Sequence, residues 1–138
     1  MSIIQDNLNF FSLFKRNLLY KLKKKINIDL VDIKEDSLDK LFTYYNTDKA
    51  NFINNGKDRG HGFAKFYETH LNSFKHKKIK ILEIGSYSGA SAAAFIKFFP
   101  NAEIYCLDVN LLNFKYSSKK MHVFGMNSSN NKMMLKFL

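Results

Sequence analysis

Tryptophan is absent from this chain, and cysteine and proline occur once each. The single cysteine, Cys106, excludes an internal disulfide and a cysteine-based zinc site. It falls inside a predicted strand and reads as a buried, inert thiol. No run of about 18 apolar residues exists, so no segment reads as a membrane-spanning helix. The N-terminus lacks a basic lead followed by a long apolar run and a small-residue cleavage site, so no secretory signal is read. A cytoplasmic location is the default expectation. Acids are scarce too. Asp and Glu number 12 against 22 Lys and Arg, which leaves a formal charge of +10. That balance favours anionic partners (nucleic acid, an acidic membrane surface, phosphorylated substrates) without choosing among them. A lysine-rich genome produces the same surface with no functional reason.

What the chain does have is enough apolar material for one domain. Of its 138 residues 46% are hydrophobic, with 14 Phe and 7 Tyr, which is a globular rather than a disordered composition. The first segment, Ile3 to Ile26, has apolar residues at Leu8, Phe11, Phe14, Leu18 and Leu22, the three-and-four spacing of a helix. Lys15, Arg16, Lys21 and the run Lys23 to Lys25 decorate it. A basic amphipathic helix can lie on an anionic membrane or dock on a partner. The breadth of the stripe and its phenylalanines instead predict that it packs on the domain, leaving the chain unbound to vesicles.

Asp36 or Ser37 is placed to cap a short helix through Leu38, Leu41, Phe42 and Tyr45. Asn46 to Gly62 is rich in Asn and Gly and reads as a loop. A second amphipathic helix is predicted from about His61 to Phe74. The pattern then changes. Ile79 to Ile84 is a short apolar run ending at Gly85, as a buried parallel strand does. Ser88 to Phe99 is small, apolar and followed by Pro100, as a helix would be. Glu103 to Asp108 and Met121 to Gly125 are the next predicted strands, and Asn130 to Leu138 begins a helix. This order implies an α/β fold with a Rossmann-like open parallel sheet preceded by N-terminal helices. The expected division is a helical region over 1–76 and a sheet region over 77–138.

The segment Ile81-Leu82-Glu83-Ile84-Gly85-Ser86-Tyr87-Ser88-Gly89-Ala90-Ser91 carries the clearest chemistry. A strand ends at glycine, the chain turns, and a helix starts. In open α/β sheets, ligands bind beyond the carboxyl ends of the strands. Asp108 ends the next strand, 19 residues past Gly89 (108 − 89), near the spacing at which an acid meets ribose hydroxyls. A dinucleotide loop wants G-x-G-x-x-G/A, but Tyr87 occupies the middle glycine and would obstruct a pyrophosphate. Glu83 would also repel one. S-adenosylmethionine (SAM) has no pyrophosphate and carries a cationic α-amino group and sulfonium, which suit a carboxylate at Glu83.

Glu83-x-Gly85-x-x-x-Gly89 followed by Asp108 resembles the first two motifs of class I SAM-dependent methyltransferases. Tyr45-Asn46-Thr47-Asp48-Lys49, His61-Gly62-Phe63 and Phe66-Tyr67-Glu68 resemble the region before that loop in macrocin-type O-methyltransferases of macrolide biosynthesis. The resemblance covers about Leu41 to Asn130. It implies that Glu83, Gly85, Ser86, Tyr87 and Gly89 shape the methionine end of a SAM site and that Asp108 bonds both ribose hydroxyls. The third strand of such proteins often ends in Gly-Asp-Gln; here it reads Gly125-Met126-Asn127, so Asn127 is the residue left to bond the adenine edge. The resemblance also implies a small-molecule or sugar hydroxyl as methyl acceptor. A class I sheet has seven strands, and this sequence supplies candidates for the first three, so an incomplete methyltransferase is expected, inactive alone or completed by a partner chain such as a second copy.

Other candidates are weaker. His61, His70, His76 and His122 are scattered without ligand spacing, so no metal site is predicted. His61 can be read as a base near the acceptor or as a loop histidine. Asp48 and Lys49 form either a functional pair or an ordinary surface pair. Lys75, Lys77, Lys78 and Lys80 extend a basic face, but no stacking-aromatic motif supports nucleic acid. Ser86 and Ser88 lack a nucleophile-elbow pattern. No catalytic residue is assigned. The rival readings are a nicotinamide-dependent oxidoreductase and a non-catalytic basic binding module.

Overall fold

The computed structural model describes residues 10–137. Helix α1 (Phe10–Leu22) leads into a two-residue strand, β1 (Ile26–Asn27), and a short 3-10 turn. Helix α2 (Leu38–Tyr44) is capped by Ser37, whose hydroxyl accepts from Lys40 N–H. Glu68 Oε1 accepts from Leu38 N–H at 2.6 Å, so a second orphan donor of the first turn is satisfied from a distant helix. The expected loop 46–62 contains a small hairpin, β2 (Phe52–Ile53) against β3 (Asp58–Arg59). Helix α3 (Ala64–Leu71) starts later than the periodicity predicts. The reason is that Gly60 to Phe63 are engaged elsewhere: their N–H groups bond to the carbonyls of Asn51, Asp48, Ala50 and Lys49.

The sheet region follows the predicted order. Strand β4 (Lys80–Ile84), helix α4 (Ala90–Phe98), strand β5 (Glu103–Asp108), a short strand β6 (Tyr116–Ser117), strand β7 (Met121–Gly125) and helix α5 (Asn131–Phe137) complete the chain. Strands β4, β5 and β7 form one parallel sheet in that spatial order, with Glu83 opposite Cys106 and Asp108 opposite Gly125. Strand β6 pairs in parallel with β1 and ties the N-terminal segment to the domain. The fold is therefore the predicted Rossmann-like α/β arrangement.

Side chains alternate across the strands. Ile104, Cys106 and Met121 are buried on the face covered by helices. Helix α4 lies there, and its residues are buried on nearly every side, as its small apolar composition requires. Phe42 of α2 and Tyr67 of α3 meet Phe95 of α4 edge-on, with ring centroids 5.5 and 5.3 Å away. The helical segment and the sheet thus share one core. On the opposite face Leu82, Ile84 and Phe124 remain exposed.

Helix α1 docks the opposite way round from the expectation. Leu8 lies outside the described residues, but Phe11, Phe14, Leu18 and Leu22 all face solvent, and the buried side chain is Leu13. Polar groups set this orientation. Arg16 donates to Val109 O at 3.1 Å, Asn17 Nδ2 to Gly125 O at 2.9 Å, and Lys23 Nζ to Leu112 O at 2.6 Å. These carbonyls lie just past or at the ends of β5 and β7 and need donors. Tyr20 packs edge-on against Phe114 on the same side.

Candidate functional site

Beyond the carboxyl end of β4 lies a cleft of about 310 Å³. One wall is the turn Gly85 to Ser88 with the first residues of α4, Ala90 and Ser91. The other is Asn46 to Lys49 with Ile53. The second wall is held by the backbone bonds already described: Asp48 O and Lys49 O accept from His61 and Phe63 N–H at 2.7 and 2.9 Å. Gly60 permits this closure, since a Cβ there would fall 2.0 Å from Ala50 O. The segments Tyr45 to Lys49 and His61 to Phe63 are therefore two sides of one closed loop that presents Lys49 to the sheet. Phe66-Tyr67-Glu68 serves packing and capping instead, through the Tyr67 ring and the Glu68 carboxylate.

Glu83 does not itself line the cleft but contacts two residues that do, Lys49 and Ser91, and its side chain is 10% exposed. Its Oε1 accepts a short bond from the Ser91 hydroxyl and lies 3.5 Å from Lys49 Nζ. Lys49 Nζ also reaches Ser91 Oγ at 3.4 Å. Glu83 Oε2 is buried and has no hydrogen-bond partner. A buried carboxylate oxygen left unpaired is costly, and a donor brought to it would relieve that cost. Burial, and to a lesser degree the Glu83 carboxylate, pushes the Cys106 thiol up to about 12. Cys106 is thus protonated and inert.

The turn itself is shaped by positive φ at Gly85, Tyr87 and Gly89. The two glycines differ. A Cβ at Gly85 would meet nothing within 4 Å, so its backbone is open to a ligand. A Cβ at Gly89 would fall 2.5 Å from the Phe114 ring, and Gly89 does not line the cleft. Ser86 is buried and its hydroxyl donates to Glu83 O at 3.1 Å. Tyr87 holds φ +45°, a strained value for a bulky residue, and its side chain is exposed on the cleft.

Asp108 is what holds Tyr87 there. Its Oδ2 accepts from Tyr87 N–H and its Oδ1 from Asn110 N–H, each at 2.7 Å. Each carboxylate oxygen keeps a further lone pair for another donor. Asn127 is not brought into this cleft. It lines a neighbouring one with Phe10, Leu13, Phe14, Asn17 and Asn130, and its Oδ1 accepts from Ser129 N–H. Met126 is buried, its N–H bonded to Asp108 O.

His61 stacks on Phe63 and lies 3.5 Å from Asp48 Oδ2, outside the cleft lining. His122 stacks on Tyr105 beside Glu103. Among the described residues no three His, Cys, Asp or Glu side chains converge to hold a metal ion. No helix among them is long and apolar enough to cross a membrane. Lys49 is the site residue that motif reading undervalued. Its signal was present in Thr47-Asp48-Lys49, but 34 residues separate it from Glu83 (83 − 49).

No protein-family model matches the sequence, and no curated protein does. Among solved structures, the chain is similar to MycE methyltransferase from the mycinamycin biosynthetic pathway in complex with Mg and SAH, with a TM-score of 0.61 at 21% identity. The same enzyme in complex with Mg, SAH and mycinamycin VI superposes with a TM-score of 0.59 at 22% identity. In both cases the match covers 75% of this chain and 28% of the MycE chain. At this identity the likeness establishes the fold. The matched part spans little more than a quarter of the MycE chain.

Proposed function

We propose that this chain forms the SAM-binding part of a methyltransferase acting on a hydroxyl of a small molecule or sugar. The observation that carries the reading is Glu83. It is a buried carboxylate with one oxygen unpartnered, at the end of the first sheet strand and beside the open backbone of Gly85. A cationic α-amino group is the donor that environment calls for, and a pyrophosphate is the ligand it repels. The complexes of MycE with SAH, and with SAH and mycinamycin VI, support the cofactor and a small-molecule acceptor.

SAM, when bound, supplies a methyl group on a positively charged sulfur. This chain's residues have the remaining tasks. Glu83 Oε2 would accept from the α-amino group. Lys49, released in part from Glu83, would pair with the cofactor's carboxylate. Asp108 would accept from the ribose hydroxyls while keeping Tyr87 in place, and Ser86 would hold the turn. Asn127 remains the candidate for the adenine edge, reached across the cleft it lines with α1. Rate would come from positioning and exclusion of water.

Calorimetry with SAM, SAH and NADH on one preparation tests the reading. SAM and SAH should bind and NADH should not. Asp108→Ala should weaken SAM about tenfold or more, from the roughly 1.5–3 kcal/mol of a hydrogen bond to a charged group. Tight NADH binding without SAM binding would favour the nicotinamide-dependent oxidoreductase instead. Unchanged SAM affinity in Asp108→Ala would remove Asp108 from the site.

A further inference from the structure

Helix α1 shows its apolar side to solvent. Phe10 is 75% exposed, Phe11 80%, Phe14 60%, Leu18 49% and Leu22 77%. At 100° per residue these five occupy an arc of roughly 120°. The domain side of the helix is already satisfied by Leu13, Arg16, Asn17 and Tyr20, so the arc is not a mispacked core face. Exposed apolar surface this continuous marks an interaction site.

We infer that this arc docks on an anionic lipid surface, with α1 lying in the plane of the interface. Charge selects the occupant. From Phe10 to Lys25 the chain has no acidic residue. On the helical wheel Lys21 falls within the apolar arc near one margin and Lys15 just beyond the other, and Lys24 follows the helix end; all three are exposed. Lysines so placed lay their methylene stems along acyl chains and lift their ammonium groups to the headgroups. A second copy of the chain fits poorly, since facing helices would bring these lysines together on two chains of formal charge +10. A nucleic acid would meet the lysines but leave five bulky apolar side chains against a charged backbone. The cleft beside Lys49 is lined by other elements, so docking here leaves Lys49 and Glu83 untouched.

The test is co-flotation of the full chain with vesicles of phosphatidylcholine alone and of phosphatidylcholine with phosphatidylserine, at low and physiological salt. Binding to the anionic vesicles only, weakened by salt, is expected. Phe11→Glu with Leu22→Glu should abolish it with an unchanged melting temperature, because both side chains are already in solvent and neither lines the cleft of Asn127. Lys15→Gln with Lys21→Gln should weaken it roughly five-fold per lysine, about 1 kcal/mol each. Failure to float, or flotation that survives the double glutamate variant, overturns the inference. So does a concentration-dependent dimer, or RNA binding, that the double glutamate variant abolishes while vesicles stay unbound. A SAM titration of the same variant separates the two proposals: lost flotation with retained SAM affinity is expected.

Discussion

Two glycines of one turn should fail in different ways. Gly85 and Gly89 both hold positive φ, +79° and +73°. Alanine in left-handed backbone costs about 1–2 kcal/mol at either position. The added methyl then meets different surroundings. At Gly85 nothing lies within 4 Å. At Gly89 the methyl falls 2.5 Å from Phe114 Cζ and 2.7 Å from Cε1. Phe114 is fully buried and held edge-on by Tyr20 at 5.8 Å, so the ring has no room to swing. Overpacking of that kind adds about 1–3 kcal/mol. Gly89→Ala should therefore lose about 2–5 kcal/mol in total, a large part of the roughly 5–15 kcal/mol a domain has. At about 4 °C per kcal/mol for a chain of this size, its Tm should fall by roughly 8–20 °C, against roughly 4–8 °C for Gly85→Ala. Binding should show the reverse order. Gly85→Ala places a methyl on the open backbone of the cleft and should weaken SAH about tenfold or more, a loss of about 1.4 kcal/mol. Gly89→Ala, measured well below its Tm, should retain affinity. Melting curves and calorimetry on the two variants decide the matter. Equal Tm shifts, or affinity lost at Gly89 and kept at Gly85, would refute the assignment of one glycine to packing and the other to the ligand.

Three further outcomes follow from the same geometry. Lys49→Met should weaken SAH about tenfold or more, from the roughly 1.5–3 kcal/mol of a charged hydrogen bond, yet leave adenosine, which lacks the amino-acid end, unaffected; equal losses for both ligands would place Lys49 outside the site. Burial pushes Cys106, Tyr20 and Tyr45 up to about 12 from ordinary values of 9.0, 10.0 and 10.0. The folded chain therefore keeps protons that the unfolded chain releases, so stability is full below about pH 9 and falls as pH rises toward 12, which melts across that window should record. Finally, the outer edge of β4 and the exposed Leu82, Ile84 and Phe124 offer no wall for an acceptor, so the chain alone should bind labelled SAM without turnover and tend to self-associate; a cooperatively melting monomer with real methyl transfer would contradict this.

The strands were legible because local pattern and tertiary role agree there. Ile79 to Ile84, Glu103 to Asp108 and Met121 to Gly125 are short apolar runs between turn residues, and each is a strand of the parallel sheet. The turn after Glu83 was legible for the same reason: its glycines need backbone angles that other residues resist. Pairings between remote segments were not legible. Strands β1 and β6 are two residues each and exist only because the chain returns 90 residues later to meet itself (116 − 26). Likewise, the composition of Asn46 to Gly62 reads as a loop, and only the crossing bonds from Gly60 to Phe63 make it a rigid wall.

By itself the sequence determined the order of the main helices and of the three strands of the parallel sheet, the α/β class, the turn beyond β4 and the inertness of Cys106. Each depends on neighbours in the chain, where apolar period and backbone sterics act directly. Only the tertiary structure decided which side of α1 faces the domain, that Lys49 meets Glu83, that Gly89 answers to Phe114, and that Asn127 opens on a different cleft from Gly85. Periodicity locates a stripe on a helix but carries no information about the donors on its other side. Arg16, Asn17 and Lys23 outweighed the phenylalanines because carbonyls at and just past the ends of β5 and β7 needed partners, and those carbonyls lie about a hundred residues away.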